Sequence, residues 1–85
     1  MILFRNSMPQ LDLHGLDRVE SGIKIKHFID DNIFLRNEEF AIIHGIGSGI
    51  LKNETWNILK KDKRIEEFCV DPFNSGCTLV KVKLN

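Results

Sequence analysis

The chain has little cysteine, no net charge and no long apolar run. Each absence excludes something. Two cysteines, Cys69 and Cys77, are too few for the disulfide framework that staples small secreted domains. Both sit in apolar surroundings, which predicts buried thiols in a cytoplasmic protein. Twelve Lys and Arg residues balance twelve Asp and Glu residues. That balance excludes non-specific coating of nucleic acid by a basic excess, but leaves room for a local basic face. No run approaches the ~20 apolar residues of a membrane-spanning helix, so no membrane partner is expected. The start lacks the apolar segment of a signal peptide. Repeats, low-complexity tracts and linker-like stretches are missing too.

What is present is enough for one small core. The 85 residues are 42% hydrophobic and 28% charged, the balance of a single globular domain of modest stability. Residues 1–9 read as a lead-in whose Ile2-Leu3-Phe4 packs either on the domain or on an upstream region. The domain itself is expected over 10–85. The chain is then either a small whole protein or the last piece of a larger one.

Gln10 to His14 reads as a strand, with Leu11 and Leu13 on one face and Asp12 and His14 on the other. Asp17 followed by Glu20 fits a capping box and starts a helix that runs to about Leu35. Val19, Ile23, Phe28, Ile29 and Ile33 are its expected core face. Gly22 suggests a close approach to the sheet. Phe40 to Ile43 is a continuous apolar run, as in a strand central in a sheet. Ile50 to Lys61 is a second helix, Arg64 to Val70 a third strand, Asp71 to Gly76 a turn and Cys77 to Leu84 a fourth strand. The order βαβαββ predicts a two-layer α/β sandwich: a four-stranded mixed sheet with both helices on one face.

Two histidines each close a strand, in Leu11-Asp12-Leu13-His14-Gly15 and in Phe40-Ala41-Ile42-Ile43-His44-Gly45. The second continues as Ile46-Gly47-Ser48-Gly49 into a helix. Backbone N–H groups at a helix start carry partial positive charge, and glycines let an anion come close to them. The loop is therefore a candidate phosphate cradle, with Ser48 and Lys52 assisting. A plain tight turn would use the same residues. It is neither a P-loop nor a dinucleotide fingerprint, because the required Lys-Ser/Thr and acidic residues are absent at the right distances.

Asp12 and His14 project together and can orient a base or activate water. An Asp12 that only caps the Gly15 turn would occupy the same place. His44 reaches the same site if the first two strands are neighbours. Nothing in the spacing of Asp12, His14 and His44 demands a metal, so no metal ligands are assigned and no cofactor is expected to be tightly bound, while a divalent ion is compatible. His27 reads as a surface residue and Trp56 as packing rather than base stacking. Lys60 and Lys61, with Lys63 and Arg64, are a backbone clamp for nucleic acid or a solvated helix end.

At these residues the sequence resembles the small MutS-related (Smr) domain family, from about Gln10 to Leu84. The two histidine motifs, their separation and the βαβαββ order carry the resemblance. It implies a fold similar to the C-terminal domain of a bacterial translation initiation factor, with strand order 1-2-4-3 and the last strand antiparallel. His14 and His44 would then line one edge. Members occur alone and as C-terminal domains of MutS-like ATPases, so upstream ATPase domains are an implied partner. They bind branched or structured DNA or RNA, and several nick DNA or cleave RNA, which suggests work in DNA repair or recombination. The family's first motif carries over onto Asp12, His14 and Gly15, and its glycine motif onto His44, Gly45, Gly47 and Gly49. The turn at Asn74-Ser75-Gly76-Cys77 is shorter than the family's usual Gly-Gly-rich one. The expectation is a nicking endonuclease whose catalytic residues are Asp12, His14 and His44. Gly15, Gly45, Gly47, Ser48, Gly49, Lys52, Lys60 and Lys61 would contact the nucleic acid. The alternative is a non-catalytic nucleic-acid or ribosome binding module.

Overall fold

The computed structural model describes residues 1–84. Six elements follow one another: β1 (Gln10–Asp12), α1 (Arg18–Phe34), β2 (Glu39–Ile43), α2 (Ile50–Lys61), β3 (Ile65–Asp71) and β4 (Asn74–Val82). They form one four-stranded sheet in the order β1-β2-β4-β3. β1 pairs parallel to β2, and β4 runs antiparallel between β2 and β3. The predicted element order and mixed sheet are what the structure shows.

Side-chain alternation along the strands divides the sheet into two faces. Leu13, Phe40, Ile42, Val80 and Val82 face the helices and are buried against Ile25, Ile29 and Leu59. Phe28 meets Phe40 edge-on at 5.2 Å between ring centres. Truncating a buried ring such as Phe40 to alanine costs about 3–5 kcal/mol. The opposite face carries Ala41, Cys77 and Leu79, and the lead-in covers it by burying Ile2 and Met8 there. An ion pair from Arg5 to Glu39 at 2.7 Å anchors that segment. Leu3 and Phe4, by contrast, are exposed. Cys77 is buried as expected, but Cys69 is only half-buried, because it lies on the outer strand of the sheet.

The capping box forms as predicted, with Asp17 accepting from the Glu20 N–H at 2.8 Å and Glu20 accepting from the Asp17 N–H at 3.1 Å. The expected face of α1 holds in its second half, where Ile29 is buried and Phe28 and Ile33 pack on the core, and fails in its first. Val19 and Ile23 are exposed, and the buried stripe is Ser21, Gly22, Ile25, Ile29 and Asn32. Small residues mark that stripe because α2 comes close there. A methyl group on Gly22 would meet the Glu54 carboxylate at 2.9 Å, so the close approach is to α2 rather than to the sheet.

Strand limits shift as well. β1 stops at Asp12, whose carboxylate accepts the His14 backbone N–H at 2.9 Å in the turn that follows. The third strand begins at Ile65 rather than Arg64 and extends to Asp71. The turn between β3 and β4 is only Pro72-Phe73, and β4 begins at Asn74.

Candidate functional site

Parallel pairing brings the C-terminal ends of β1 and β2 to the same sheet edge. Between them lies a cleft of about 330 Å³, lined by Asp12, His14, Gly15, Ile43, His44, Gly45, Ile46 and Leu51. Three residues expected to do chemistry thus share one hollow with two of the expected glycines. Asp12 spends one carboxylate oxygen on the His14 N–H. The capping role and a place in the cleft therefore coexist in this residue. His14 is exposed at the turn that follows.

His44 sits differently. It is 7% exposed, and both ring nitrogens have partners. Nδ1 lies 3.0 Å from the Gly45 carbonyl oxygen, and Nε2 lies 2.8 Å from the Thr78 hydroxyl. Burial pushes its imidazole below the ordinary pKa, the Gly45 carbonyl opposes that shift, and the positive charge of Lys52 adds to it. The backbone N–H groups of His44 and Gly45 both donate to the Gly76 carbonyl at 2.9 Å.

The glycine loop leaves α2 with an open N-terminus. Gly15, Gly45, Gly47 and Gly49 all have positive φ. Gly49 supplies no side-chain cap, and Ser48 makes only a long 3.4 Å contact to the Ile50 N–H. First-turn N–H groups in that position lack intrahelical partners. A Cβ on Gly47 would meet nothing within 4 Å, so its φ of +122° rather than crowding asks for glycine there. Lys52, in the first turn of α2, lies over the Trp56 ring at 5.2 Å.

Lys60 and Lys61 stand in the last turn of α2. Twelve residues separate Gly49 from Lys61, about 18 Å of helix at 1.5 Å per residue. The structure therefore does not bring these lysines to the cleft. Nearby, Asp62 and Asp30 hold Arg64 at 2.8 and 2.9 Å and raise its pKa above the ordinary value, Asp62 contributing most. A larger surface hollow, about 820 Å³, also lies at this end between the helices, and charges of both signs line it. It pairs ions rather than gathering acid–base groups. Among the described residues, no cluster of three or more His, Cys, Asp and Glu side chains is arranged to hold a metal ion. His27 is exposed, as expected.

Two contributors to the site escaped the sequence reading. Thr78 is fully buried on β4 and touches His44. Trp56 packs edge-on against Phe68 at 4.9 Å, as a packing residue should, but its Nε1–H also donates to Thr78 at 3.0 Å. The available signal was a threonine in line with Val80 and Val82 on the helix-facing side of β4.

Residues 11–83 match the model of the Smr domain. Endonuclease MutS2 of Streptococcus suis is 34% identical over 82 residues, which is 93% of this chain and 10% of that protein. Endonuclease MutS2 of Thermotoga maritima is 36% identical over 78 residues, 88% of this chain and again 10% of the relative. The chain thus spans about a tenth of the length of the curated relatives it matches. The crystal structure of the Smr domain of Thermus thermophilus MutS2 superposes with a TM-score of 0.86 at 26% identity, covering 89% of this chain and 99% of that one. YdaL, a stand-alone small MutS-related protein of Escherichia coli, shares the fold with a TM-score of 0.85 at 19% identity, over 91% of this chain and 66% of its own. Similarity that runs from β1 to the end of β4 and extends to a solved Smr domain places this chain in the Smr domain family.

Proposed function

We propose that this domain binds structured or branched nucleic acid and nicks its phosphodiester backbone. The observation that carries the reading is the single cleft gathering Asp12, His14, His44, Gly15 and Gly45 from two neighbouring strand ends. A phosphate entering there meets the glycine loop and the open start of α2, whose N–H groups favour an anion. His14, exposed at the rim, takes a proton from the attacking water or gives one to the departing sugar oxygen. Asp12 orients that imidazole or a divalent ion, and Lys52 offsets the charge that builds on the phosphate. Water adds to phosphorus, the P–O bond to one sugar breaks, and the chain is left with a nick. Lys60 and Lys61 sit a helix length away, suited to the backbone of a bound duplex rather than to the reacting phosphate.

A second reading has its own support. This chain covers only 10% of a curated relative, which fits a module that delivers MutS-like ATPase domains to nucleic acid without cutting. Incubation with supercoiled plasmid, with and without Mg²⁺ or Mn²⁺, beside gel shifts on branched duplex and stem-loop RNA, separates the two. Nicking that Asp12→Asn removes supports the endonuclease. Binding with no nicking under any metal condition leaves the binding module, and absence of both sinks the nucleic-acid reading.

A further inference from the structure

We infer that Thr78 and Trp56 are positioning residues of the cleft, which hold the His44 ring in one orientation and, through it, the Gly45 carbonyl and the glycine loop. The direction of each hydrogen bond follows from what each group can do. The Gly45 carbonyl only accepts, so the proton of the neutral ring is on Nδ1, 3.0 Å away. Nε2 is then an acceptor, and the Thr78 hydroxyl 2.8 Å from it must donate. That hydroxyl has a lone pair left, and the Trp56 Nε1–H, which only donates, fills it at 3.0 Å. The chain therefore runs one way, from Trp56 to Thr78 to His44 to Gly45.

Each part of this chain is held by a different element. Trp56 comes from α2, Thr78 from β4, and His44 from the end of β2. Trp56 is fixed by Phe68 on one side and lies under Lys52 on the other. The relay thus ties α2, the sheet and the loop between them into one register. Gly45 has φ +79°, and its carbonyl is the acceptor at the end of the relay. A ring held this way has no free lone pair for water, so proton transfer falls to His14 and His44 sets the loop.

The effect on cleavage rests on the reading of the cleft as a nuclease site, but the tautomer does not. Long-range ¹H–¹⁵N NMR of the histidine rings in the full 85-residue chain reads the tautomer directly near pH 7.5. The expected wild-type signature is Nδ1–H for His44. Thr78→Val, which keeps shape and removes both bonds, should shift the His44 Nε2 resonance, whose hydrogen-bond donor is gone, and the amide signals of Gly45 to Gly49. If nicking is present, it should fall by up to about 100-fold, the scale of a misplaced group. Thr78→Ser should restore all three. Should Thr78→Val fail to fold, Trp56→Phe keeps an aromatic ring beside Phe68, removes the N–H along with the rest of the pyrrole ring and should move the same signals. An Nε2–H tautomer in the wild type overturns the inference, as does a folded Thr78→Val or Trp56→Phe with unchanged ring and loop signals. Absence of nicking with the expected tautomer overturns the nuclease reading alone.

Discussion

His14 and His44 end neighbouring parallel strands, and each precedes a glycine with positive φ, yet one is exposed and the other is 7% exposed with both nitrogens bonded. The difference comes from the neighbours. β1 is an edge strand with β2 on one side only, so nothing covers the turn after it. β2 lies between β1 and β4, and β4 brings Thr78 and the Gly76 carbonyl against its end. The same His-Gly signature therefore yields an open acid–base candidate at the edge and a fixed structural imidazole one strand inward. A strand's position in the sheet, rather than the residue, decides which imidazole is open.

The sharpest test of this contrast is a pair of alanine variants. His14→Ala should lower nicking by about 10²–10⁴-fold, the usual contribution of acid–base catalysis, with thermal melting near that of wild type. His44→Ala should instead lower stability by about 1–3 kcal/mol, because it leaves buried partners of the ring unpaired. A plasmid-nicking time course and denaturant melts on both proteins read the outcome. Equal stability losses would erase the contrast.

Asp12→Asn comes next. The amide oxygen can still accept the His14 N–H, so the turn should hold while the charge is removed. Nicking should disappear with affinity for branched DNA largely kept, measured by rate and gel shift side by side. Loss of binding together with cleavage would make the residue structural.

Acid should expose the buried histidine. The folded pKa of His44 is below the ordinary 6.5, first because burial strips the charged form of water. The unfolded chain therefore takes up the proton at higher pH than the folded one. His44 costs no stability well above pH 6.5, and stability falls as pH drops below it, by at most about 1.4 kcal/mol per pH unit from this group. Melts at pH 7.5 and 5.5 should show a fall that is smaller in a folded His44→Gln variant. An identical pH response in both would show that the ring titrates freely.

The smallest effect is expected away from both histidines. Charge reversal at Lys60 and Lys61 should weaken nucleic-acid binding modestly. It should also flatten the salt dependence, by roughly one unit of slope for each phosphate that is no longer neutralised. Nicking by the bound protein should not change. A wild-type salt slope would identify this cluster as a solvated helix end.

Much of the architecture was legible in the chain because its signals are local. The Asp17–Glu20 capping box, the apolar run Phe40–Ile43, the two glycine breaks and the order of elements each depend on a few consecutive residues. The first turns of α1 depart from the expected face for a related reason. Apolar residues lie on more than one side of this helix, and large ones at Val19 and Ile23 suggested a core that the small Ser21 and Gly22 in fact define. Side-chain size in sequence gives no sign of how near a second helix will come. The turn at Pro72-Phe73 was overestimated because the polar residues Asn74 and Ser75 look like loop, although pairing with β3 draws them into β4.

The candidate site divides along the same line. Residue identity supplies the groups that are available: two imidazoles, one carboxylate two residues before the first, and a glycine loop that permits positive φ. Tertiary packing set where each of them lies and what it touches. Strand order set which histidine is open, helix length put Lys60 and Lys61 out of reach of the cleft, and the meeting of α2 with β4 joined Trp56 to Thr78 and Thr78 to His44. Those hydrogen bonds link residues 22 and 34 positions apart, and no local preference encodes them. They exist because burial leaves each polar group with few possible partners, and the packing of the sheet supplies the one that fits.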